Sequence, residues 1–262
     1  MFSWCSYCQK YLGEFAPYDQ HNISHGICKQ CHDGKVVFNR EKIQKSKEIA
    51  VLFAQMGEAV KKKDFAFIKT QYEKLIALSV SNSDIFSGIY QPLLYEIGKL
   101  WENREVTVAE EHEVTSTIEA LVDLGFKGIP NVENLRNSSK PMVMISSTSQ
   151  NQHILGLRLI EHWLCEKGIE NRIIVPGMPE DEFLSLAQKL KPPVVGLSVA
   201  LPTPEVKRTL TKLVQQARGA RVIIGGRFIR EYMPNDLPAG ITLCNNILDL
   251  SDVLIQSKLL AS

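Results

Sequence analysis

From Lys140 onward the sequence repeats one alternation, a short apolar run followed by an amphipathic helical stretch. The runs are PMVMISS, RIIVP, PVVGLSVAL, RVIIGG and GITLCN. The helical stretches are HILGLRLIEHWLCEKG, PEDEFLSLAQKL and TPEVKRTLTKLVQQARG, with NNILDLSDVLIQSKLL last. The runs are apolar throughout rather than at every second position, the pattern of strands covered by helices on both faces. This predicts a Rossmann-like (flavodoxin-like) doubly wound domain over residues 140–262, with five parallel strands. Ligands of such sheets bind beyond the carboxyl ends of the strands, near the switch in strand order.

The preceding residues, 41–128, carry a different period. REKIQKSKEIAVLFAQMGEAVKKK, DFAFIKTQYEKLIALSV, SDIFSGIYQPLLYEIGKLWENR and TVAEEHEVTSTIEALVDLGF space their apolar residues as helices do. Asp64 and the SNSD run at 81–84 supply N-cap candidates. Four helices with short loops predict an antiparallel bundle. Residues 129–139, IPNVENLRNSS, lack any period and read as a linker. Residues 1–38 are polar and cysteine-rich, with too few large apolar residues to build a core alone.

The net charge of +1 gives no global field for nucleic acid or an acidic partner. No apolar run approaches the roughly 18 residues that span a membrane. The opening MFSWCSYCQK does not resemble a secretory signal. A reducing cytoplasm is therefore expected, where thiols seldom form structural disulfides. Cys165 and Cys244 stand alone in apolar surroundings and read as core cysteines.

The first strand-to-helix loop of the α/β domain is STSQNQH, ending at His153. It is not a glycine-rich phosphate loop, which argues against a nicotinamide or flavin dinucleotide. The run Asn151-Gln152-His153-Ile154-Leu155-Gly156 resembles the D-x-H-x-x-G motif of cobalamin-binding domains. Downstream, GLSVALP places Ser198 where that family has the serine of its S-x-T or S-x-L motif, and IIGG places Gly225 and Gly226 at its double glycine. The resemblance implies that His153 replaces the cofactor's own base as lower ligand of cobalt. It implies that Gly156 leaves room beside the corrin, that Gly225 and Gly226 admit the displaced nucleotide tail, and that Ser198 hydrogen-bonds its base. A neutral imidazole suits a transition metal. Two positions depart from the pattern. Asn151 stands for the family's aspartate, so the bond to the distal ring nitrogen carries no charge and weaker donation from His153 is expected. Ala200 stands where threonine or leucine is usual, in the tail pocket.

LWENREVTVAEEHEVTSTIEAL resembles the helical module that precedes the cobalamin domain in light-responsive, cobalamin-dependent regulators, and more distantly the cap of methionine synthase. The resemblance implies that Trp101 and the pair Glu111-His112 cover the upper face of the corrin. Read from the residues alone, Trp101 could equally be core, and Glu111 and His112 solvated helix residues. Many such photoreceptors have a histidine after the tryptophan; here it is Glu102, leaving His112 as the nearest donor by sequence.

Cys5-x2-Cys8, nineteen residues, Cys28-x2-Cys31 is a four-thiolate zinc pattern and resembles small zinc-ribbon segments. Metal would supply the folding energy that a coreless segment lacks. CKQCH, residues 28–32, also fits a c-type haem attachment site, but haem leaves Cys5 and Cys8 unexplained. His21, His25 and His32 read as surface residues.

No nucleophile elbow, zincin motif or P-loop is present, and the chain is too short for the substrate barrel of a radical mutase. The expected function is a cobalamin-binding sensory or regulatory protein, a photoreceptor or cofactor sensor carrying adenosylcobalamin or methylcobalamin, and not an enzyme. The alternative is a corrinoid carrier for methyl transfer. A homo-oligomer or a signalling partner is expected. Direct DNA binding stays open, since no helix-turn-helix is read.

Overall fold

A computed structural model of the chain describes residues 1–17, 20, 22–34, 39–148, 153–200, 205–217, 219–226, 229 and 237–260. The chain forms two compact units, Met1–Gly125 and Phe126–Ser262.

The first unit begins with a three-stranded sheet of order β2-β1-β3, made of β1 (Phe2–Cys5), β2 (Tyr11–Glu14) and β3 (Ile23–Gly26). Strand β1 pairs antiparallel with β2 and parallel with β3. A single-turn helix, α1 (Lys29–Asp33), follows. The helices come next: α2 (Arg40–Lys61), α3 (Phe65–Ala77), α4 (Asn82–Ile85), α5 (Gln91–Glu102) and α6 (Val108–Lys127). Caps fall where the sequence placed them. Asp64 accepts from Phe67 N, and Ser81 from Asp84 N. The bundle core contains Ile49, Met56 and Val60 of α2, Ile68 and Leu75 of α3, Leu93 and Ile97 of α5, and Val114, Ile118 and Val122 of α6.

One predicted helix, residues 83–104, differs. Residues Phe86–Tyr90 form a fully buried π-helical turn between α4 and α5. The cause lies in the first turn of α5, which contains Pro92. Proline has no N–H to offer the carbonyl four residues back, and its ring collides with that carbonyl. That residue is Gly88, the centre of the turn; widening the helix by one residue relieves the collision.

In the second unit, β4 (Val143–Ser147), β5 (Asn171–Ile174), β6 (Val194–Ser198), β7 (Arg221–Gly225) and β8 (Ile241–Cys244) form one all-parallel sheet of order β5-β4-β6-β7-β8. The helices are α7 (Val132–Arg136), α8 (Leu155–Glu166), α9 (Glu180–Leu190), α10 (Glu205–Gln216) and α11 (Ile247–Gln256). Successive strand residues bury to opposite faces. Val143, Ile145 and Ile223 pack with Leu157 and Leu164 of α8 and Leu250 and Leu254 of α11. Met144, Val222 and Ile224 pack with Phe183 and Leu184 of α9 and Leu210 and Leu213 of α10. This is the doubly wound sheet the alternation predicted. The sheet reverses its order between β4 and β6, so the switch point lies at their carboxyl ends.

The stretch 129–139 contains α7, and its Arg136 is anchored. Arg136 donates to the buried Glu161 of α8 at 3.0 Å, and Arg158 donates to the same carboxylate at 2.8 Å. Both guanidinium groups lie over the Phe126 ring, at 4.6 and 5.0 Å. A polar composition without period concealed this contact.

Helix α6 starts in a reciprocal cap. Glu110 N donates to Thr107 Oγ1, and Thr107 N donates to Glu110 Oε2 at 2.7 Å. Lys63 Nζ lies 2.9 Å from Glu110 Oε1. The Thr107 N–H first, and Lys63 second, draw the Glu110 carboxyl from 4.5 down to about 2. A depressed carboxyl stabilises the fold above its ordinary range, and that contribution fades as pH falls toward about 2. The melting temperature of Glu110→Gln should therefore lie below that of the parent at neutral pH and converge with it near pH 2. A gap that persists unchanged at acid pH would contradict this assignment.

Candidate functional site

The carboxyl edge of the parallel sheet is set by register. Ser147 of β4 pairs with Ser198 of β6, Ser198 with Gly225 of β7, and Gly225 with Cys244 of β8. Three of the four strand ends carry small side chains, and two carry hydroxyls. Ser198 and Gly225, both implied by the family resemblance, are neighbours across β6 and β7.

Gly226 follows in a left-handed conformation, φ +107°. A Cβ there would come within 2.8 Å of Val199 N, and one on Gly225 within 2.7 Å of the Cys244 carbonyl. Both glycines thus let neighbouring strand ends close on one another, and Val199 N donates to Gly225 O at 2.8 Å. Gly156 lies in the first turn of α8, exposed, with nothing within 4 Å of a Cβ built on it. His153 is exposed in the loop just before α8. Asn151 lies outside the described residues, as does His21. Ala200 is half-buried beyond the end of β6.

Two residues of this edge were missed in the sequence. Ser147 Oγ and Thr148 Oγ1, at and just beyond the end of β4, are buried without a hydrogen-bond partner among the described residues. Their cover includes the loop after β5, where Gly177 packs on the carbonyls of Ser147 and Thr148. The available signal was weak: the end of an apolar run, SST, rich in hydroxyls. Buried polar atoms are normally partnered, and exceptions call for a ligand, a water or a functional cause. At a topological switch point a ligand is the apt cause.

In the first unit, Trp101 sits near the end of α5 and is 47 % exposed, so it is not a core residue. His112 Nδ1 lies 2.6 Å from Glu111 Oε2, and Thr115 Oγ1 donates to Glu111 Oε1 at 2.9 Å. A carboxylate only accepts, so Nδ1 carries hydrogen, and the tautomer this selects has its lone pair on Nε2.

The four N-terminal cysteines converge. Their Sγ atoms lie within 4.8 Å of one another, with Cys8 and Cys28 3.7 Å apart. Tetrahedral zinc with bonds of about 2.3 Å sets its sulfurs about 3.8 Å apart. Backbone N–H groups support the sulfurs, Cys28 N donating to Cys5 Sγ and Cys31 N to Cys28 Sγ, both at 3.4 Å. Burial alone would raise the Cys5 thiol, but N–H groups of Cys28, Cys8 and Tyr7 outweigh it and bring it to about 6. Burial, aided by neighbouring thiols, pushes Cys8 and Cys31 up. The donor set fits a soft divalent ion of zinc's size. His25 and His32 are exposed, as expected of surface residues. Cys165 is buried and raised by that burial; Cys244 is pushed up to about 12 by burial and the Asp249 carboxylate. Both are poor nucleophiles.

A helical segment precedes a Rossmann-like parallel sheet with small residues along its carboxyl edge, an arrangement consistent with a corrinoid-binding fold. Residues 52–124 match the B12 binding domain family. The chain is 25 % identical over 150 residues to the HTH-type transcriptional repressor CarH of Myxococcus xanthus, a match covering 56 % of this chain and 48 % of that protein. It thus spans about half the length of the curated relative it matches. Its fold is similar to that of a Methanosarcina barkeri monomethylamine corrinoid protein, with TM-score 0.58 and 15 % identity, covering 78 % of this chain and 97 % of the other. The resemblance to cobalamin-binding proteins read from the motifs is borne out. No described helix is long and apolar enough to cross a membrane.

The orphaned hydroxyls give a signed expectation. Ser147→Ala removes a buried group with no partner among the described residues, relieving part of a desolvation penalty of about 1–3 kcal/mol, so the ligand-free protein should unfold at the same or higher urea concentration. Ser146→Ala removes a buried hydroxyl that donates to Ser147 O at 2.8 Å and should lose about 1 kcal/mol. Equal losses in the two variants would show that Ser147 is already satisfied.

Proposed function

We propose that this chain binds a cobalamin with its base displaced and uses it as a sensor rather than as a catalyst. The observation that carries the binding mode is the pair of buried hydroxyls, Ser147 and Thr148, without a partner among the described residues, at the switch point ahead of His153. The displaced tail would enter at this edge and meet the hydroxyls of Ser147, Thr148 and Ser198. Gly156, with open space over its Cα, leaves room where α8 begins. His153 would offer its imidazole to cobalt. Asn151, which holds no charge, would orient that ring less firmly than a carboxylate. When bound, the cofactor supplies a cobalt–carbon bond that light or chemistry can break.

Support for a sensory role comes from the first unit. The B12 binding domain match falls on the helices, and the match to a transcriptional repressor points the same way. Trp101 presents an exposed indole suited to covering an apolar upper ligand. Glu111 holds Nδ1 of His112 and leaves Nε2 as the available donor, and no histidine follows Trp101. His112 would take the role of capturing ligand in this chain. The output would be a change of self-assembly or of contact with a signalling partner, with DNA contact a further possibility. The four cysteines would hold zinc in a reducing cytoplasm. A corrinoid carrier for methyl transfer is the second reading, favoured by the likeness of fold to the monomethylamine corrinoid protein.

Two measurements decide. His153→Ala should bind cobalamin at least about tenfold more weakly and with a changed visible spectrum, since even losses around a metal ligand reach that scale. An unchanged colour and affinity would overturn the lower-ligand assignment. Adenosylcobalamin-loaded protein, compared by size-exclusion chromatography in the dark and after green light, should change its assembly state. A light-stable complex that passes methyl groups to a partner enzyme would establish the carrier.

A further inference from the structure

We propose that a metal in the four-cysteine site clamps Trp4 and Tyr11 of the cysteine-rich segment onto the π-helical turn of the bundle at Gly88. This rests on the zinc reading above and goes beyond it, from a local metal site to control of the bundle's order.

The geometry is continuous. Trp4 and Cys5 are consecutive in β1 and both are buried. Cys5 contributes its sulfur to the metal cluster, and Trp4 reaches the bundle. Tyr11 opens β2 directly opposite Trp4, and their rings lie 5.7 Å apart. A Cβ on Gly88 would overlap Trp4, coming within 2.9 Å of its Cε2, and within 2.8 Å of Tyr11 Cδ2. The two rings therefore rest directly on the Gly88 backbone, at the turn opened by Pro92.

The loop joining the two aromatic residues is the first metal knuckle, Cys5 to Cys8, followed by Gln9 and Lys10. Its polar contacts also go to the bundle. Gln9, left-handed at φ 56°, donates through Nε2 to the Lys42 carbonyl of α2 at 2.9 Å and to Ser6 O at 3.3 Å. Tyr11 N donates to Asp84 Oδ1 of α4 at 3.1 Å, while Asp84 Oδ2 accepts from Ser81 Oγ at 2.8 Å. The loop and the two aromatic residues it joins thus supply half of the metal ligands and contacts to α2, α4 and the π turn.

The energetics favour coupling. Aromatic side chains bury about 150–250 Å² each, and Phe2, Trp4 and Tyr11 are the large buried residues of this segment. A segment so small depends on its metal for order. Without the metal, the knuckle loses its constraint, the aromatic pair loses its register, and a buried π turn loses its cover. Loss of packing over a segment lowers the free energy of its local opening, which hydrogen exchange reads. Phe86–Tyr90 runs directly into α5, the helix that carries Trp101. On the function proposed above, the clamp would also steady the indole.

The test is hydrogen exchange on the full chain, read at residues 86–93. Zinc content is measured in parallel, and residues 194–198 of β6 serve as the control. Zinc-loaded protein should carry about one ion per chain. Chelation should speed exchange at 86–93 by about tenfold or more, and zinc added back should reverse it, with β6 unchanged. Gly88→Ala separates docking from metal binding. It should keep its zinc and still show the faster exchange at 86–93. If zinc binds at one per chain and exchange at 86–93 is the same with and without it, the clamp is refuted and the zinc site stands. If no zinc binds, both fall. Neither result depends on cobalamin.

Discussion

The pairing register of β4, β6 and β7 is the constraint on which the candidate cofactor site depends. It brings Ser147, Ser198 and Gly225 into one row at the carboxyl edge, although they are separated by 50 and 26 residues along the chain. A slip of one residue would turn every side chain to the opposite face. What prevents the slip is burial on both sides. Val143 and Ile145 answer to α8 and α11, Met144 to α9 and α10, and neither face tolerates the other's set. The core that stabilises the sheet is therefore also what aligns its ligand edge.

The first unit follows a different logic. Its bundle is interrupted by Pro92, and the interruption is used rather than merely tolerated. The π turn puts a glycine where the proline's ring would have struck a carbonyl, and that glycine accepts two aromatic rings from the cysteine-rich segment. Cys165 and Cys244 show what a thiol does where burial dominates, with both raised out of the reactive range. Cys5 is also buried, yet three backbone N–H groups reverse the sign. The difference lies in the N–H groups aimed at Cys5, one of them from Cys28 in the second knuckle; Cys8 and Cys31, in the same C-x-x-C pairs, are raised.

That contrast explains what could be read beforehand. The cysteine cluster was legible because each knuckle is local and only one long-range closure is needed. The parallel sheet was legible because five apolar runs alternate with helices, a pattern few folds satisfy. Ser198 and the Gly225-Gly226 pair were found through family likeness; their adjacency needed the register. The burial of the Ser147 and Thr148 hydroxyls was hidden, since hydroxyls at a strand end usually face solvent or cap a helix. Gly88 was hidden for a similar reason. A glycine within a helical pattern gives no hint of which rings will settle on it, and Trp4 lies 84 residues away in the sequence. The anchoring of Arg136 by Glu161 was invisible because a polar stretch with a proline looks the same whether or not its one arginine finds a buried carboxylate.

The unpartnered hydroxyls also bear on how such a site persists. A fold selected for stability alone would place alanine or valine at Ser147 and Thr148, whose buried hydroxyls bond to nothing among the described residues. Keeping them costs about 1–3 kcal/mol apiece in the empty protein, a sizeable share of the 5–15 kcal/mol that holds a domain together. The same groups become favourable once a polar ligand supplies partners, because a low-dielectric site strengthens each bond made there. The penalty in the empty state and the gain in the filled state then arise from the same atoms. A sheet edge built this way couples ligand occupancy to stability of the unit by mass action, without any moving part.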